Sequence, residues 1–410
     1  MKLVEELKNR GLVEHHSAEL EKIFEKKRRV YLGVDPSADS MQVGNLAVVL
    51  LLKRLANAGN SIVLLVGGGT AMIGDPRESG ERVLSDKKTV AANAKAMRAQ
   101  MQKIVGGRVT LVNNADWLLK VKLVDFLRDI GKHFTVNELV KRDIIRRRLE
   151  TPDESISYTE FAYSLLQGYD YLLLYQKHGV DLQIGGSDQW TNILSGVELI
   201  RRKLGKEAYA LTIPLVTDSN GKKFGKSEGN AVWLDPKKTS PFAFYQFWLS
   251  QPDDSVEKYL KFYTLLPLPE INALVELHGR NPERRVAQRK LAHEVTKLVH
   301  GETEAKRAEK FTDVLFGVTQ FDSLTKLERD ALFAAVPSAT LPVGTSIVEA
   351  LTTNGFIPSK AEARRLMSAK GIRLNGETIA EDRELAYTDF HNELAILQKG
   401  KSDKLLVRFK

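Results

Sequence analysis

The chain has 410 residues, with 61 lysines and arginines against 52 aspartates and glutamates, a formal net charge of +9 and no cysteine. At roughly 100–200 residues per domain, this length predicts two to four domains. The lack of cysteine excludes disulfide scaffolds, cysteine-ligated metal sites and thiol catalysis, and it suits a reducing compartment. No apolar run approaches the length of a membrane span, and the basic balance allows a polyanionic partner.

Strand-like and helix-like segments alternate in the first half of the chain. Runs of β-branched and other apolar residues predict strands at 29–34, 61–66, 108–113, 180–184 and 210–216. Helical periodicity appears between them at 46–57, 86–104 and 159–178. This alternation predicts an α/β fold with a parallel sheet that helices cover on both faces. Such sheets bind ligands beyond the carboxyl ends of their strands, so chemistry is expected directly after each strand.

The second half of the chain changes character. Residues 240–316 show helical patterns without strand signals, and 317–345 contain prolines and glycines that are typical of a linker. Residues 346–410 predict a helix followed by short strands around the turn Asn375-Gly376.

Four loops carry glycines and polar residues. Loop 33–46 opens a helix at Gly44, where backbone N–H groups could approach phosphate, although an ordinary strand–helix connection has the same layout. Loop 67–76 has three consecutive glycines, which would clear space for a ligand. Loop 183–190 places polar residues around a glycine pair, which suits a ligand or a structural turn. Loop 221–230 spaces lysines between glycines, which suits a triphosphate or a solvated surface.

Taken together, these segments resemble the bacterial tyrosyl-tRNA synthetases, which are Rossmann-type (class I) aminoacyl-tRNA synthetases. The most specific ones are Gly-Gly-Ser-Asp-Gln-Trp at 185–190, Lys-Phe-Gly-Lys-Ser at 223–227, and the strings at 240–248 and 294–302. Residues 346–410 are similar to an RNA-binding module shared with a ribosomal small-subunit protein. The resemblance runs almost from end to end.

The resemblance implies a fold in several parts. A Rossmann-type parallel-sheet catalytic domain would span 1–232 and include a mobile lysine loop at 221–230. An all-α domain that binds the anticodon arm would follow at 233–325, then a linker at 326–345. A small α+β C-terminal RNA-binding module would occupy 346–410.

The resemblance also implies the reaction. The family uses ATP to convert L-tyrosine into tyrosyl-adenylate with release of pyrophosphate, and then transfers tyrosine to the terminal adenosine of tRNA(Tyr). The carboxylate of the amino acid is the nucleophile, so catalysis consists of positioning and charge stabilisation. ATP would enter as a substrate with Mg²⁺, without a protein-bound metal or organic cofactor. A cytoplasmic homodimer without membrane contact is expected.

The residues that would act on the phosphates follow by position. They are Lys223, Lys226, Ser227, Gln42, Asn45, Arg77 and Arg82. Two departures from the family stand out. Its His-Ile-Gly-His signature is Gln42-Val43-Gly44-Asn45 here, and the segment after Asp75 lacks the usual lysines. An amide stabilises developing negative charge less than an imidazolium does. The chain is therefore either a competent enzyme or a diverged paralogue, and the other intact motifs favour competence.

The predicted amino-acid pocket lies on a helix and on strand ends. Tyr163, Gln167 and Asp170 lie at i, i+4 and i+7, which puts them on one helix face. The resemblance assigns the substrate phenol to Tyr31 and Asp170, and the ammonium group to Tyr163, Gln167 and Asp75. Thr70, Gln183 and Gln189 would complete this pocket. The expected ATP contacts are Gly33, Asp35, Ser37, Gln42, Gly44, Asn45, Gly186, Asp188, Lys223 and Lys226.

Basic residues supply the candidate tRNA contacts. A positive run at 141–148 falls where the family contacts the acceptor stem, although a charge run is more often a solvated face. The predicted tRNA contacts are Lys141, Arg142, Arg146, Arg147, Arg148, Lys360, Arg364 and Arg365.

Two alternatives remain open at this point. The sister enzyme for tryptophan has nearly the same fold, although the Ser187–Trp190 motif and the pair Tyr31 and Asp170 favour tyrosine. A non-catalytic RNA-binding paralogue would account for Gln42 and for the C-terminal module.

Overall fold

A computed structural model describes residues 2–76, 86–217, 231–400 and 403–410, and it divides the chain into two compact units. The first unit comprises Met1–Thr239 and Trp248–Val299, and the second comprises Ser240–Phe247 and His300–Lys410. Five residues predicted to act on phosphate lie outside the described residues: Arg77, Arg82, Lys223, Lys226 and Ser227.

The first unit contains a six-stranded sheet. Its strands are β1 (His15–His16), β2 (Arg29–Val34), β3 (Ser61–Val66), β4 (Val109–Asn113), β5 (Leu182–Gly186) and β6 (Tyr209–Ile213). They lie in the order β1-β6-β5-β2-β3-β4, and all neighbours are parallel except β1 and β6. The five predicted strands are confirmed. Strand β1 escaped prediction because two residues are too few to show alternation.

The topology places a crevice at the middle of this sheet. From β2 the chain runs outward through β3 and β4, then crosses back to β5 on the other side of β2. The order of the strands therefore reverses between β2 and β5, and open α/β sheets bind ligands at such a switch point.

Eighteen α-helices occur within the described ranges. In chain order they are α1 (Leu3–Asn9), α2 (Leu20–Ile23), α3 (Val43–Asn57), α4 (Lys87–Val105), α5 (Ala115–Leu118), α6 (Leu123–Asp129), α7 (Val136–Leu139), α8 (Asp143–Glu150), α9 (Tyr158–His178), α10 (Trp190–Leu204), α11 (Pro241–Leu249), α12 (Val256–Tyr263), α13 (Leu268–Arg280), α14 (Val286–His300), α15 (Glu302–Leu315), α16 (Lys326–Ala335), α17 (Ile347–Thr352) and α18 (Lys360–Ser368). The helical character predicted for 240–316 is confirmed.

Local signals define helix α9, which carries much of the site. Ser157 caps its start, because the Ser157 side chain accepts a hydrogen bond from the N–H of Glu160. Gly179 ends it in the left-handed conformation, with φ 62°. Helix α10 lies against α9 at Gly196, where an added Cβ would come within 2.6 Å of the Tyr171 side chain. Glycine is therefore required for this close helix contact.

Helix α3 is held in place by a buried arginine. Arg54 donates hydrogen bonds to the carbonyl oxygens of Lys261, at 3.3 Å, and Thr264. Burial lowers the pKa of Arg54 to about 9. The far end of α3 is thus tied to the chain at and after α12, while its N-terminus reaches the strand ends.

The second unit contains a five-stranded sheet. Its strands are β7 (Ser338–Leu341), β8 (Ile372–Leu374), β9 (Glu377–Thr378), β10 (Ala395–Lys399) and β11 (Asp403–Phe409), in the order β7-β11-β10-β8-β9. The predicted turn Asn375-Gly376 joins β8 to β9, and its φ angles of 51° and 92° fit the left-handed region.

The predicted linker at 326–345 is wrong as a description of this segment. It contains helix α16, which starts in a capping box of Thr325 and Glu328, and strand β7, which pairs with β11. The prolines that suggested a linker flank the strand. Leu332 and Leu341 are buried, so this segment belongs to the folded core.

Replacement of Gly196 by alanine tests the contact between α9 and α10. The added methyl group would overlap the Tyr171 side chain, so we expect the free energy of unfolding to fall by about 1–3 kcal/mol. Urea unfolding measures this change. Gly279→Ala is the matched control, because a Cβ on this helical glycine meets no atom within 4 Å. Equal stability of both variants would contradict the packing argument.

Candidate active site

A cavity of about 310 Å³ opens at the carboxyl ends of β2, β3 and β5, and we call it the first cavity. Every described residue that was predicted to contact tyrosine or ATP lines it: Tyr31, Gly33, Asp35, Ser37, Gln42, Gly44, Asn45, Thr70, Asp75, Tyr163, Gln167, Asp170, Gln183, Gly186, Asp188 and Gln189. The structure therefore brings residues from distant parts of the sequence to the predicted edge of the sheet.

Asp170 supplies a buried carboxylate to this cavity. Its oxygens accept hydrogen bonds from Asn114 Nδ2 at 2.8 Å and Trp117 Nε1 at 2.6 Å. Burial raises the pKa of Asp170 to about 7, although both hydrogen bonds favour the charged form. Sequence reasoning missed the two donors. The signal was present, since Asn114 directly follows β4, as the other site residues follow their strands.

Tyr31 and Gln183 line the same cavity as Asp170. Burial and the nearby Asp170 charge raise the pKa of the Tyr31 phenol well above its ordinary value, so this group stays protonated at neutral pH. Gln183 is buried, and its Oε1 atom has no hydrogen-bond partner among the described residues. A ligand with a polar donor would satisfy this oxygen, which otherwise costs free energy to bury.

Asp35, which is expected to contact ATP, is hydrogen-bonded to two residues of the predicted tyrosine pocket. Its oxygens accept hydrogen bonds from Thr70 Oγ1 at 2.6 Å and the Tyr163 hydroxyl at 2.8 Å. Asn114 Nδ2 donates to Thr70 Oγ1 at 2.9 Å. Asn114 therefore links Asp170 to Asp35, so the two carboxylates belong to one hydrogen-bond network.

The three glycines at 67–69 have a different use from the predicted one. A Cβ on Gly67 would lie 1.9 Å from Asp35 Oδ1, and one on Gly68 would lie 2.4 Å from Asn113 Oδ1. These glycines make room for side chains of the protein itself. The expectation that they directly clear space for a ligand is corrected accordingly.

Asp75 forms a second polar cluster at the edge of the first cavity. It accepts hydrogen bonds from Gln189 Nε2 at 2.8 Å and Asn192 Nδ2 at 2.9 Å. Arg142 in turn donates to Asn192 Oδ1 at 3.4 Å and to Ser195 Oγ at 2.6 Å. Asn192, which sequence reasoning also missed, lies one helical turn after Gln189.

Two arginines of the basic run face the protein and not the solvent. Arg142 is half-buried, and burial lowers its pKa to about 10 although Asp75 favours its charge. Arg148 is buried and donates to Glu160 Oε1 at 2.9 Å. The burial of Arg148 contradicts the prediction that this residue contacts tRNA. Arg142 is only half-buried, but its hydrogen bonds join it to Asn192 and Ser195 within the protein. A charge run cannot show from sequence which of its members a fold will bury.

The other predicted tRNA contacts are exposed. They are Lys141, Arg146 and Arg147 in the first unit and Lys360, Arg364 and Arg365 in the second. In the second unit, Lys360 pairs with Glu349 at 2.9 Å and Arg365 with Glu362 at 2.7 Å. Exposed pairs of this kind contribute little to stability, so these cations remain accessible to an anionic partner.

The start of α3 is paired with the chain that follows residue 230. The N–H of Val43 donates to the carbonyl of Val232 at 3.1 Å, and that of Leu234 donates to Met41 at 2.9 Å. Within the signature itself, the N–H of Gln42 donates to Asn45 Oδ1 at 3.2 Å. The segment that follows the predicted lysine loop is thus hydrogen-bonded to the signature segment at 42–45.

Two further findings concern metals and membranes. In the described part of the chain, no group of three or more histidine, aspartate or glutamate side chains is placed to hold a metal ion. Of the helices described, none is both long enough and apolar enough to cross a bilayer.

The doubly wound sheet, with a crevice at its switch point and polar residues at its strand ends, is the fold expected of a class I aminoacyl-tRNA synthetase. Residues 24–317 match the family described as tRNA synthetases class I (W and Y). Residues 328–407 match the tyrosine–tRNA ligase SYY-like C-terminal domain. The chain belongs to the tyrosine–tRNA ligase family, on the evidence of these matches and of its full-length relatives.

Two relatives illustrate how far the similarity extends. The tyrosine–tRNA ligase of Roseiflexus castenholzii is 44% identical over 424 residues, which cover 99% of both chains. That of Leuconostoc citreum is 45% identical over 421 residues, which cover 100% of both chains.

Solved structures agree with this placement. A C-terminally truncated mitochondrial tyrosyl-tRNA synthetase of Aspergillus nidulans is 35% identical with a TM-score of 0.69, and the match covers 76% of this chain and 94% of that one. The tryptophanyl-tRNA synthetase of Plasmodium falciparum, at 15% identity and a TM-score of 0.54 over 80% of this chain and 87% of that one, shares the fold alone.

The raised pKa of Asp170 predicts a pH-dependent stability. Between its ordinary value of 3.8 and the folded value of about 7, the unfolded chain has released this proton while the folded chain keeps it. The free energy of unfolding therefore falls as the pH rises through this window. Asp170→Asn should remove this part of the slope, as urea unfolding followed by tryptophan fluorescence at several pH values would show.

The exposed carboxylate Asp116 in α5 provides the control. Asp116→Asn should leave the slope as it is in the unmodified protein. An unchanged slope in Asp170→Asn would show that the Asp170 carboxyl titrates normally.

Proposed function

We propose that this chain ligates L-tyrosine to tRNA(Tyr) and that the first cavity carries out the activation step. The observation that carries the proposal is the group formed by Asp170, Tyr31 and Gln183, all buried and all lining the first cavity. A tyrosine phenol both donates and accepts hydrogen bonds, so it can pair with the carboxylate and with the protonated Tyr31 hydroxyl. Sites built to bond a hydroxyl reject analogues that lack it, and tyrosyl-tRNA synthetase is the standard example.

The amino-acid head group would bind at the second polar cluster, around Asp75. Asp75, kept in orientation by Gln189 and Asn192, offers a carboxylate to the ammonium group. Gln167 and Tyr163 on helix α9 line the same cavity as Asp75 and Asp170. Because Tyr163 also donates to Asp35, one side chain links the amino-acid subsite to the proposed nucleotide subsite.

The activation step then needs no protein nucleophile. The tyrosine carboxylate attacks the α-phosphorus of ATP, a carboxylate–phosphorus bond forms, and the bond to pyrophosphate breaks. The N-terminus of the 15-residue helix α3, with Gln42 and Asn45, favours negative charge at the phosphates. Lys223, Lys226, Ser227, Arg77 and Arg82 are proposed to act on the same phosphates, with Mg²⁺ accompanying ATP as substrate.

The second unit is proposed to contribute to tRNA binding. Lys360, Arg364 and Arg365 are exposed cations on or beside helix α18, which suits contacts with the phosphate backbone. Lys141, Arg146 and Arg147 would serve the acceptor stem. We also propose a cytoplasmic location, where tRNA and ATP meet.

Pyrophosphate exchange with each amino acid tests the proposed activity. Tyrosine should support exchange, whereas tryptophan and phenylalanine should not, because the buried Asp170 carboxylate and the buried Tyr31 hydroxyl would lose their phenolic partner. Asp170→Asn should lower tyrosine-dependent exchange by about tenfold or more, since hydrogen bonds to charged groups contribute roughly 1.5–3 kcal/mol. Exchange measured with radiolabelled pyrophosphate gives both results.

Asp116→Asn is again the control and should exchange at the unmodified rate. Exchange with tryptophan in place of tyrosine would replace the proposed substrate. No exchange with any amino acid, together with retained RNA binding, would identify a non-catalytic paralogue.

We further propose that a second copy of the chain covers an apolar surface around α6. Leu123 and Val124 in this helix are 71% and 74% exposed, and Leu127 is exposed as well. Leu119, Val136, Leu149 and Tyr158, which flank α6 in the sequence, are also exposed. Clusters of exposed apolar side chains mark association surfaces, and homodimerisation is what the family resemblance implies.

Charged substitutions in α6 test this dimer. The unmodified protein should sediment as a dimer, and Leu123→Asp combined with Val124→Asp should sediment as a monomer, because two carboxylates would be buried without partners. Analytical ultracentrifugation distinguishes the two. Leu327→Asp, at an 81% exposed position of α16, should stay dimeric. A monomeric unmodified protein would refute the proposal.

A further inference from the structure

Helix α4 presents two side-chain amides to the loop that joins β2 to α3. Asn93 Nδ2 donates a hydrogen bond to the carbonyl of Pro36 at 3.2 Å, and Gln100 Oε1 accepts one from the N–H of Met41 at 2.9 Å. Asn93 and Gln100 are seven residues apart, so they lie on the same face of α4, about two turns from each other. The helix therefore holds this loop near both of its ends.

Gln100 bonds to two consecutive residues that directly precede the start of α3. Besides accepting from the N–H of Met41, it donates from Nε2 to Ser40 Oγ at 3.0 Å. Ser40 and Met41 are only 3% and 0% exposed. Loss of the amide would deprive the buried N–H of Met41 of this acceptor, which costs free energy because water does not readily replace it there.

The Ser40 hydroxyl extends this contact to a distant segment. It accepts a hydrogen bond from the N–H of Asp235 at 3.1 Å. The backbone hydrogen bonds described above join the same two stretches of chain. Residues 40–43 and 232–235 thus form one hydrogen-bonded unit, which Gln100 attaches to α4.

An exposed ion pair joins the same two stretches at the surface. Lys238 pairs with Asp39, and Lys238 Nζ lies 4.8 Å from the centre of the Trp233 ring. The Lys238 and Asp39 side chains are 34% and 52% exposed, and exposed pairs of this kind contribute little. The bonds of Gln100 to its two buried partners are therefore expected to have the larger effect on the position of this unit.

The unit contains the start of helix α3, which is proposed to face the phosphates of ATP. Gln42 and Asn45 lie at this start, and both line the first cavity. Gln100 does not line it. Gln100 would therefore act on a ligand in that cavity through the segment that it holds.

Apolar packing does not replace these hydrogen bonds. Val43 and Leu46 in the first turn of α3 are buried, but burial of apolar surface is non-directional. Hydrogen bonds constrain both distance and angle. Catalysis without a protein nucleophile depends on such constraints, since a displacement of about 1 Å can lower a rate about a hundredfold.

We propose that Gln100 is a positioning residue for the activation step, an inference that rests on the proposed function. By bonding to Ser40 and Met41, it fixes the start of α3. Gln42 and Asn45 are thereby aligned with the phosphates of ATP while the tyrosine carboxylate attacks the α-phosphorus.

The phenol of tyrosine would bind to other elements. Tyr31, Asp170 and Gln183 lie on β2, α9 and β5. None of the three is among the hydrogen-bond partners of the Gln100 side chain within the described ranges. Loss of the Gln100 bonds should therefore slow activation without weakening tyrosine binding, whereas a residue that merely supports the fold would affect both.

Replacement of Gln100 by methionine in the full-length protein removes the amide and keeps a flexible side chain of similar length. The turnover number of tyrosine-dependent pyrophosphate exchange should fall by about tenfold, the loss expected when a buried hydrogen-bonding group loses its partner. The KM for tyrosine, and its dissociation constant from equilibrium dialysis without ATP, should stay within about twofold of the unmodified values.

Ser40→Ala provides a second variant in the same network. It removes the hydroxyl that accepts from Gln100 and from the N–H of Asp235, so turnover should fall again while tyrosine binding is unchanged. Because both replacements break one network, the double variant should lose less than the product of the two single losses. Losses that multiply fully would contradict the shared network.

Gln102→Met is the matched control for Gln100→Met. Gln102 is exposed on the same helix and does not line the first cavity. Its replacement should leave both the turnover number and the KM for tyrosine at the unmodified values.

The outcomes distinguish this inference from the proposed function. If the unmodified protein exchanges with tyrosine and Gln100→Met turns over normally, the positioning role is wrong and the proposed function stands. Weaker tyrosine binding together with slower turnover would show that Gln100 supports the fold instead, which also refutes the positioning role. An unmodified protein without tyrosine-dependent exchange would overturn the proposed function, and the inference with it.

Discussion

A buried carboxylate is the constraint on which the candidate site depends. Burial raises the pKa of Asp170 to about 7, while the hydrogen bonds that Asn114 and Trp117 donate to it favour its charged form. Those donors must come from the segment after β4, while Asp170 itself lies on α9. The Asp170 carboxylate therefore acquires its hydrogen-bond donors only when the sheet and helix α9 have assembled.

The same network extends to the residues proposed for the nucleotide. Through Asn114 and Thr70 the Asp170 carboxylate is linked to Asp35, which the glycine at 67 allows to approach. Catalysis by positioning requires such preorganisation, because a site without a nucleophile works only if its polar groups are already aligned. The cluster of Asp75, Gln189 and Asn192 extends this order to the proposed binding place of the tyrosine ammonium group.

Several features could be predicted from sequence because they depend on local pattern. Apolar runs predicted strands β2 to β6. The rule that ligands bind after strand ends then indicated the loops whose residues line the first cavity. Asn114 follows a strand end in the same way, but the sequence reasoning followed the glycine-rich loops and passed over this lone asparagine. Arg148 was misjudged because six of eight residues in its segment are charged, which hides the one that α9 buries against Glu160.

The sequence by itself determined the alternation of strands and helices in the first half of the chain, the motifs that relate the chain to its family, and the kinds of side chain available at each strand end. These depend on neighbours within a few residues. Only the tertiary structure decided which groups meet. The Asn114–Asp170, Gln189–Asp75 and Tyr163–Asp35 hydrogen bonds join residues that are 56, 114 and 128 positions apart. Hydrophobic periodicity places a residue on a face, but the partner across that face, and the burial that shifts the pKa of Asp170, exist only after the chain has folded.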